Sequence, residues 1–513
     1  MTMYQSRSAD VKPRDMSELD RLAEEHGFDS ERLHQLETWA GNLISSKKIP
    51  GVVLAVARKG KIIFHEALGS NGFHKDSIME VGSMATPLIC ATFLSLVDEG
   101  RANIDDPVTK FLPYFDRFRV HVSGNSLASF KTEPLTTVMT MRHLLTSTWG
   151  FPGTFYVQSK SASMRALDAM ATAIHPTIGK DSDFEKLVEV PLISQPGTRY
   201  RDSIAPTVVA HIICKITGGC LQDAMRERIL GPLGMIDTSW SVPPEKRQRA
   251  ARQFSAAPWL TNRLWGNMLT GPHAGHTSWL GWVAKERPQD LSGTPLLDIT
   301  DQSPLYSTAV DQLAFHSMLL NSGATPSGVR VLSPASVQMM TTDRLQELGC
   351  SLADTNFNTH ANDKANSSGM KSPQFGAKAE GQGLGLGLQI VIRPVVSRLA
   401  GSKGTFSSWG FSGTECWSDP ALELSVFVGT QLSPFWALPE TRQEVAGSVY
   451  GSLVSTSAAK HIINAQGNAD GGAMGQMMNM MMMMSMLGGG GSLMGMGGGV
   501  PGTMGAESSG TAG

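Results

Sequence analysis

Apolar residues at Leu19, Leu22, Leu33, Leu36, Trp39 and Leu43 keep a helical spacing and predict helix over 17–47. The period then shortens. In GVVLAVARKGKIIFHEALG (51–69) two β-branched runs flank Arg58-Lys59-Gly60-Lys61, the pattern of a β-hairpin. Helical patterning returns from about 84 to 99 and stops at Gly100. The middle of the chain, about 105–345, is mixed and helix-rich, with helices expected at 205–217 and 220–230 before the turn-like GPLGM at 231–235. Further on, a strand is expected at 384–392, and a second hairpin from strands 411–418 and 422–430 joined across Asp419-Pro420.

Three stretches lack such patterning. Residues 1–16 are polar and read as disordered, and 351–383, rich in Asn, Ser, Gly and Lys, read as a long flexible insertion. From about 464 the composition changes abruptly: twelve of the 28 methionines fall between Met474 and Met504 among glycines. With no period and hardly a β-branched residue, 464–513 is expected to be a disordered Met/Gly-rich tail. Thioethers pack adaptably, so an adhesive role for this tail is the alternative to a solvated one.

The net charge of −2 offers no basic field for a phosphate backbone, so nucleic acid is not an expected partner. Five scattered cysteines, Cys90, Cys214, Cys220, Cys350 and Cys416, have no metal-ligand spacing and read as reduced thiols of a cytoplasmic protein. The first thirty residues are acidic and lack a signal peptide's apolar run. No apolar stretch reaches the roughly 20 residues of a transmembrane helix. His273 and His276 lack a third ligand nearby, and the GxGxG run at 383–387 precedes a strand rather than a helix, so neither metal nor cofactor is expected.

Several stretches, in order, resemble the β-lactamase-related serine hydrolases, which include class C β-lactamases, penicillin-binding proteins and related esterases. They are the hairpin 51–69, SMATPLICATFLSLVDEGRANIDDPVTKFLPYF (83–115), TMRHLLTSTWGFP (140–152), PGTRYRDSIAPTVVAHIICKITG (196–218), ERILGPLGMIDTSW (227–240), STAVDQLAFHSMLLNSG (307–323), GVRVLSPASVQMMTT (328–342), GLGLGL (383–388) and SSWGFSGTECWSDP (407–420). The resemblance implies an α/β (α+β) fold of β-lactamase/transpeptidase type. An antiparallel sheet, from about 48–82 and 384–455, is flanked by helices and joined to a mostly helical lobe from about 105–345, all within one domain at 17–463.

The resemblance also locates the chemistry, and there the chain departs from it. The family's Ser-x-x-Lys places a lysine on the serine's face of a helix; here it reads Ser83-Met84-Ala85-Thr86, with a neutral hydroxyl in the lysine's place. Ser83 also reads as a helix N-cap, with Pro87 in the first turn. Counted from Pro196-Gly197, the family's Tyr-x-Asn becomes Asp202-Ser203-Ile204. Asp202 reads as a capping or solvent-facing residue, or as a base if burial raises its pKa. Tyr200, two residues earlier, is expected to pack. The third motif, His/Lys-x-Gly, becomes Ser408-Trp409-Gly410. Backbone donors survive side-chain change, so the N–H groups of Ser83 and Phe411 are the expected remnant of an oxyanion hole. His143 is expected to pack in the core.

A serine without a base is a weak nucleophile. The leading expectation is therefore a catalytically impaired pseudoenzyme that binds a protein partner or a small molecule, with Trp259, Trp265, Trp279 and Trp282 as contact surface or lobe core. Two alternatives stand beside it: a divergent serine esterase or amidase using Ser83, and a structural subunit recruited to a larger assembly through the tail.

Overall fold

The computed structural model describes residues 17–454, apart from 70–71, 127, 154–160, 175, 256–284, 288–304, 351, 353–380, 398–400 and 434–439. The tail from 464, the four tryptophans 259–282, His273, His276 and most of the 351–383 stretch lie outside the described residues.

The first helical stretch is three helices, α1 (Glu18–Glu25), α2 (Ser30–Leu33) and α3 (Gln35–Ser45). Gly27 takes a positive φ of 78° and Phe28 bridges Leu453 near the other end of the fold, so one continuous helix cannot form. The hairpin follows as β1 (Gly51–Arg58) and β2 (Lys61–Gly69), turning through Lys59 and Gly60, both with positive φ. After the short β3 (Met79–Glu80) comes α4 (Ala85–Asp98).

The lobe between the sheet segments contains the ribbon β4 (Arg119–Ser123) and β5 (Lys131–Pro134), and the helices α5 (Met141–Leu145), α6 (Ala162–Thr172), α7 (Asp181–Glu185), α8 (Ala205–Thr217) and α9 (Leu221–Met225). Helix α9 runs on as a wider π-type turn to Leu230. Short strands β6 (Gln253–Ser255), β7 (Lys285–Arg287) and β8 (Tyr306–Ser307) precede α10 (Ala309–Leu320) and α11 (Pro334–Thr341).

The chain then returns to the sheet with β9 (Gln382–Leu384), β10 (Gln389–Val391), α12 (Pro394–Ser397), β11 (Phe406–Gly410), β12 (Thr414–Asp419), β13 (Leu424–Gly429), β14 (Leu432–Ser433) and α13 (Thr441–Gly451). Seven strands pair antiparallel in the order β2-β1-β13-β12-β11-β10-β9, joining the N- and C-terminal segments.

Two strand expectations need correction. The stretch 384–392 is two short antiparallel strands, because the chain reverses between them: Leu384 pairs with Gln389, the Gly385 N–H donates to the Leu388 carbonyl at 2.8 Å, and Gly387 takes a φ of +79°. A Cβ on Gly385 would fall 1.9 Å from the Met340 carbonyl oxygen, and one on Gly387 2.9 Å from the Cα of Pro87 in α4. Residues 411–413 belong to the turn between β11 and β12, so β12 starts at Thr414 rather than 411.

Both sheet faces are covered. Alternation along β11 sends Phe406 and Ser408 towards His316 of α10, and Ser407 to the opposite face, where it meets Arg442 of α13. Strands β1 and β13 are consequently buried at every position and are apolar but for Arg58 and Ser425.

Candidate active site

Ser83 sits in a tight 3₁₀ turn, Gly82–Met84, at the entrance to α4. The turn is fixed from both sides. The Val81 and Gly82 N–H groups donate to the Leu305 carbonyl at 2.8 and 3.2 Å, and the Met84 N–H donates to Val81 at 3.0 Å. Gly82 has φ +48°, where a side chain would be strained. The N-cap of α4 is Met84 and no side chain caps it, so the capping reading of Ser83 does not hold. Among the described residues, neither the Ser83 nor the Thr86 hydroxyl has a hydrogen-bond partner, and both are half-buried.

Strand β11 ends against this turn. A Cβ on Gly410 would lie 2.3 Å from the Val81 carbonyl oxygen, and one on Gly82 would lie 4.0 Å from the Phe411 nitrogen. The backbones of 81–83 and 410–411 are thus in close approach, as a pair of converging N–H donors requires.

A polar clamp, absent from the sequence reading, holds the two segments together. Glu80 is buried, and its carboxylate accepts from the Ser412 hydroxyl at 2.5 Å. The Gln431 side-chain amide accepts from the Glu80 N–H and donates to the Glu80 carbonyl, each at 3.0 Å, as a neighbouring strand would. The signal was available: Glu80 is a charged residue between Ile78-Met79 and Val81, and a carboxylate in an apolar run needs a partner.

Ser408, in the position of the family's cation, is buried and faces His316. His316 Nε2 lies 3.3 Å from the Ser408 hydroxyl and Nδ1 lies 2.9 Å from that of Ser418, which continues to Ser425 at 2.7 Å. Burial alone pushes the imidazole down to about 3, so at neutral pH it is an uncharged link in a chain of hydroxyls. His316 was overlooked because its helix is apolar nearly all round. That setting implies a buried, paired histidine.

The second-motif loop is pinned on either side of Asp202. Arg201 makes a buried ion pair with Asp168 at 2.7 Å and donates its N–H to the Ser147 carbonyl at 2.8 Å. The Trp149 indole N–H donates to the Ser203 hydroxyl at 2.8 Å. Asp202 itself is half-buried, and among the described residues no side chain bonds or pairs with it. The N-cap of α8 is Ile204, so Asp202 does not cap that helix. Burial pushes its carboxyl up to about 6, against the Ser203 backbone N–H and the Arg201 charge, both of which favour the anion.

The Tyr200 phenol is pushed well above its ordinary range, mainly by burial and further by the Asp202 charge. Tyr200, Cys350 and Trp409 pack on one small cluster of Leu345, Leu352 and Leu384, as expected for Tyr200. His143 accepts the Thr140 N–H on Nδ1 at 3.1 Å and lies under Gly197, a packed position. The fold therefore brings Ser83 and the 410–411 backbone together. It turns Ser408 onto the sheet face covered by α10, towards His316, and leaves Asp202 as a carboxylate that no side chain among the described residues pairs with.

The comparisons agree with this architecture. The Beta-lactamase family model matches residues 21–446. An uncharacterized protein of Mycobacterium tuberculosis is 28% identical over 424 residues, covering 81% of this chain and 93% of its own. Esterase EstB of Burkholderia gladioli is 28% identical over 210 residues, covering 40% of this chain and 50% of its own. In structure, the unliganded simvastatin synthase of Aspergillus terreus superposes with a TM-score of 0.57 at 18% identity, covering 86% of this chain and 100% of that one. With a family match over most of its length and a fold shared with the synthase, the chain belongs to the β-lactamase family.

Proposed function

We propose that this chain is a catalytically impaired member of its family that acts by binding, at the place where the Ser83 turn meets the 410–411 backbone. The observation that carries the reading is the Ser83 hydroxyl, which has no proton acceptor among the described residues. General-base help is worth about 10²–10⁴ in rate. Converging backbone donors bind a carbonyl or an oxyanion whether or not a serine beside them reacts. The expected result is hydrolysis of p-nitrophenyl esters and nitrocefin no faster than by the Ser83→Ala variant. Turnover well above buffer that disappears in Ser83→Ala would overturn the reading.

A second reading, a divergent serine esterase or amidase, is favoured by the Asp202 carboxyl at about 6, the range a general base needs. It requires covalent labelling of Ser83 by a fluorophosphonate, lost in Asp202→Asn and rising as pH increases through about 6. An intact mass without adduct would remove it.

A further inference from the structure

A cavity of about 600 Å³ lies between α9 and the segment 235–246. None of the described residues lining it belongs to the Ser83 turn, the 196–204 loop or β11. Its size falls within the roughly 300–1,000 Å³ of small-molecule pockets. Helix α9 widens beside it. The π-type turn, in which the Gly231 N–H donates to the Arg226 carbonyl at 2.8 Å, sets Arg226, Leu230 and Gly231 on the wall. Such turns are rare in helices and frequent at functional sites. The wall reaches solvent at Ile236, which is 79% exposed, and at the half-buried Gln222 and Pro243.

Two polar groups of this wall are left over. Trp240 is only 2% exposed, and its indole N–H has no acceptor among the described residues. The buried Oε1 of Gln222 likewise has no donor. Buried polar atoms are nearly always paired, so an orphan donor and an orphan acceptor on one cavity wall call for a partner from outside. The charged groups call for none. Arg226 pairs with Asp223 at 2.5 Å, Lys246 with Asp237 at 2.7 Å, and Asp237 also with Arg249 at 2.7 Å. An ion would give up its hydration without meeting a free counter-charge. What the wall still lacks is neutral.

We propose that this cavity is a binding site for an uncharged small molecule with an apolar body, an acceptor for the Trp240 indole and a donor for the Gln222 amide. A primary carboxamide carries both in one group. The site is independent of the chemistry at Ser83.

Isothermal titration of the full chain with 3-phenylpropanamide, 3-phenylpropyl methyl ether, 3-phenylpropanoate and 3-phenylpropylammonium tests it, because the four share one apolar body. The amide should bind about tenfold tighter than the ether, which cannot donate, and both ions should bind weaker than the ether. Gln222→Met should weaken the amide about two- to tenfold and leave the ether unchanged, whereas Trp240→Phe should weaken both. Should the Trp240 variant not fold, Ile236→Arg supplies the same test from an exposed position at the edge of the wall, where the longer charged side chain should weaken the amide as well. If either ion binds as tightly as the amide, or if the amide binds the variants as tightly as the wild type, the proposal falls. It falls too if none of the four binds.

Discussion

Ser412 donates its hydroxyl hydrogen to the buried carboxylate of Glu80 across 2.5 Å, tying the residue after Phe411 to the segment that leads into Ser83. The two residues are 332 positions apart in sequence, so this bond is one of the places where the N- and C-terminal segments are joined. Its position next to both candidate backbone donors makes it a determinant of their spacing.

Ser412→Ala removes a charge-assisted bond from a buried carboxylate and should cost about 1–3 kcal/mol of stability. Ser412→Thr keeps the hydroxyl and should recover most of that. Urea denaturation of the three proteins measures it. Equal midpoints for wild type and Ser412→Ala would show that the bond does not hold the turn.

Two glycine-to-alanine changes should have opposite signs. At Gly410 the new methyl would stand 2.3 Å from the Val81 carbonyl oxygen and 2.5 Å from the Thr414 hydroxyl, and both belong to packed backbone or a buried side chain. The strand must move off the Ser83 turn, at a cost of about 1–3 kcal/mol or more. Gly447 in α13 has nothing within 4 Å of its would-be Cβ. There alanine should stabilise by about 0.5–1 kcal/mol through helix propensity. Thermal melting of both variants checks the pair, and a neutral Gly410→Ala would contradict the close approach.

Much of this was legible in the sequence where local physics decides. The Lys59-Gly60 turn fixed the first hairpin, and α8 ended at Gly218, as a left-handed glycine cap dictates. The order of motifs pointed to Ser83 and Gly410, whose neighbouring backbones the fold brings together. What was hidden is set by contacts distant in sequence. The GLGLGL run is apolar and short, so its pattern does not distinguish one strand from two; the reversal that pairs Leu384 with Gln389 does. The Glu80–Ser412 bond joins residues whose proximity no local period encodes. The partner of Ser408 could not be named from the sequence either, because His316 reaches it from a separate helix across the sheet face.

That histidine gives a pH dependence of definite sign. In the unfolded chain His316 takes up a proton as pH falls through about 6.5. In the folded protein burial keeps it neutral down to about 3, and no charged group offsets this. Between those values the unfolded state binds the extra proton, so the contribution of His316 is full above about 6.5 and is lost as pH falls towards 3. The slope for one proton is about 1.4 kcal/mol per pH unit. His316→Gln keeps an amide that can bond Ser408 and Ser418 but cannot titrate. Relative to wild type, this variant should gain about 2 kcal/mol when urea denaturation at pH 7 is repeated at about pH 5. The buried Glu415 and Asp419, whose carboxyls burial raises, titrate in both proteins and cancel in that difference. A difference that stays constant between the two pH values would mean that the imidazole accepts a proton inside the fold, and the hydroxyl chain from Ser408 to Ser425 would then have to accommodate a charge.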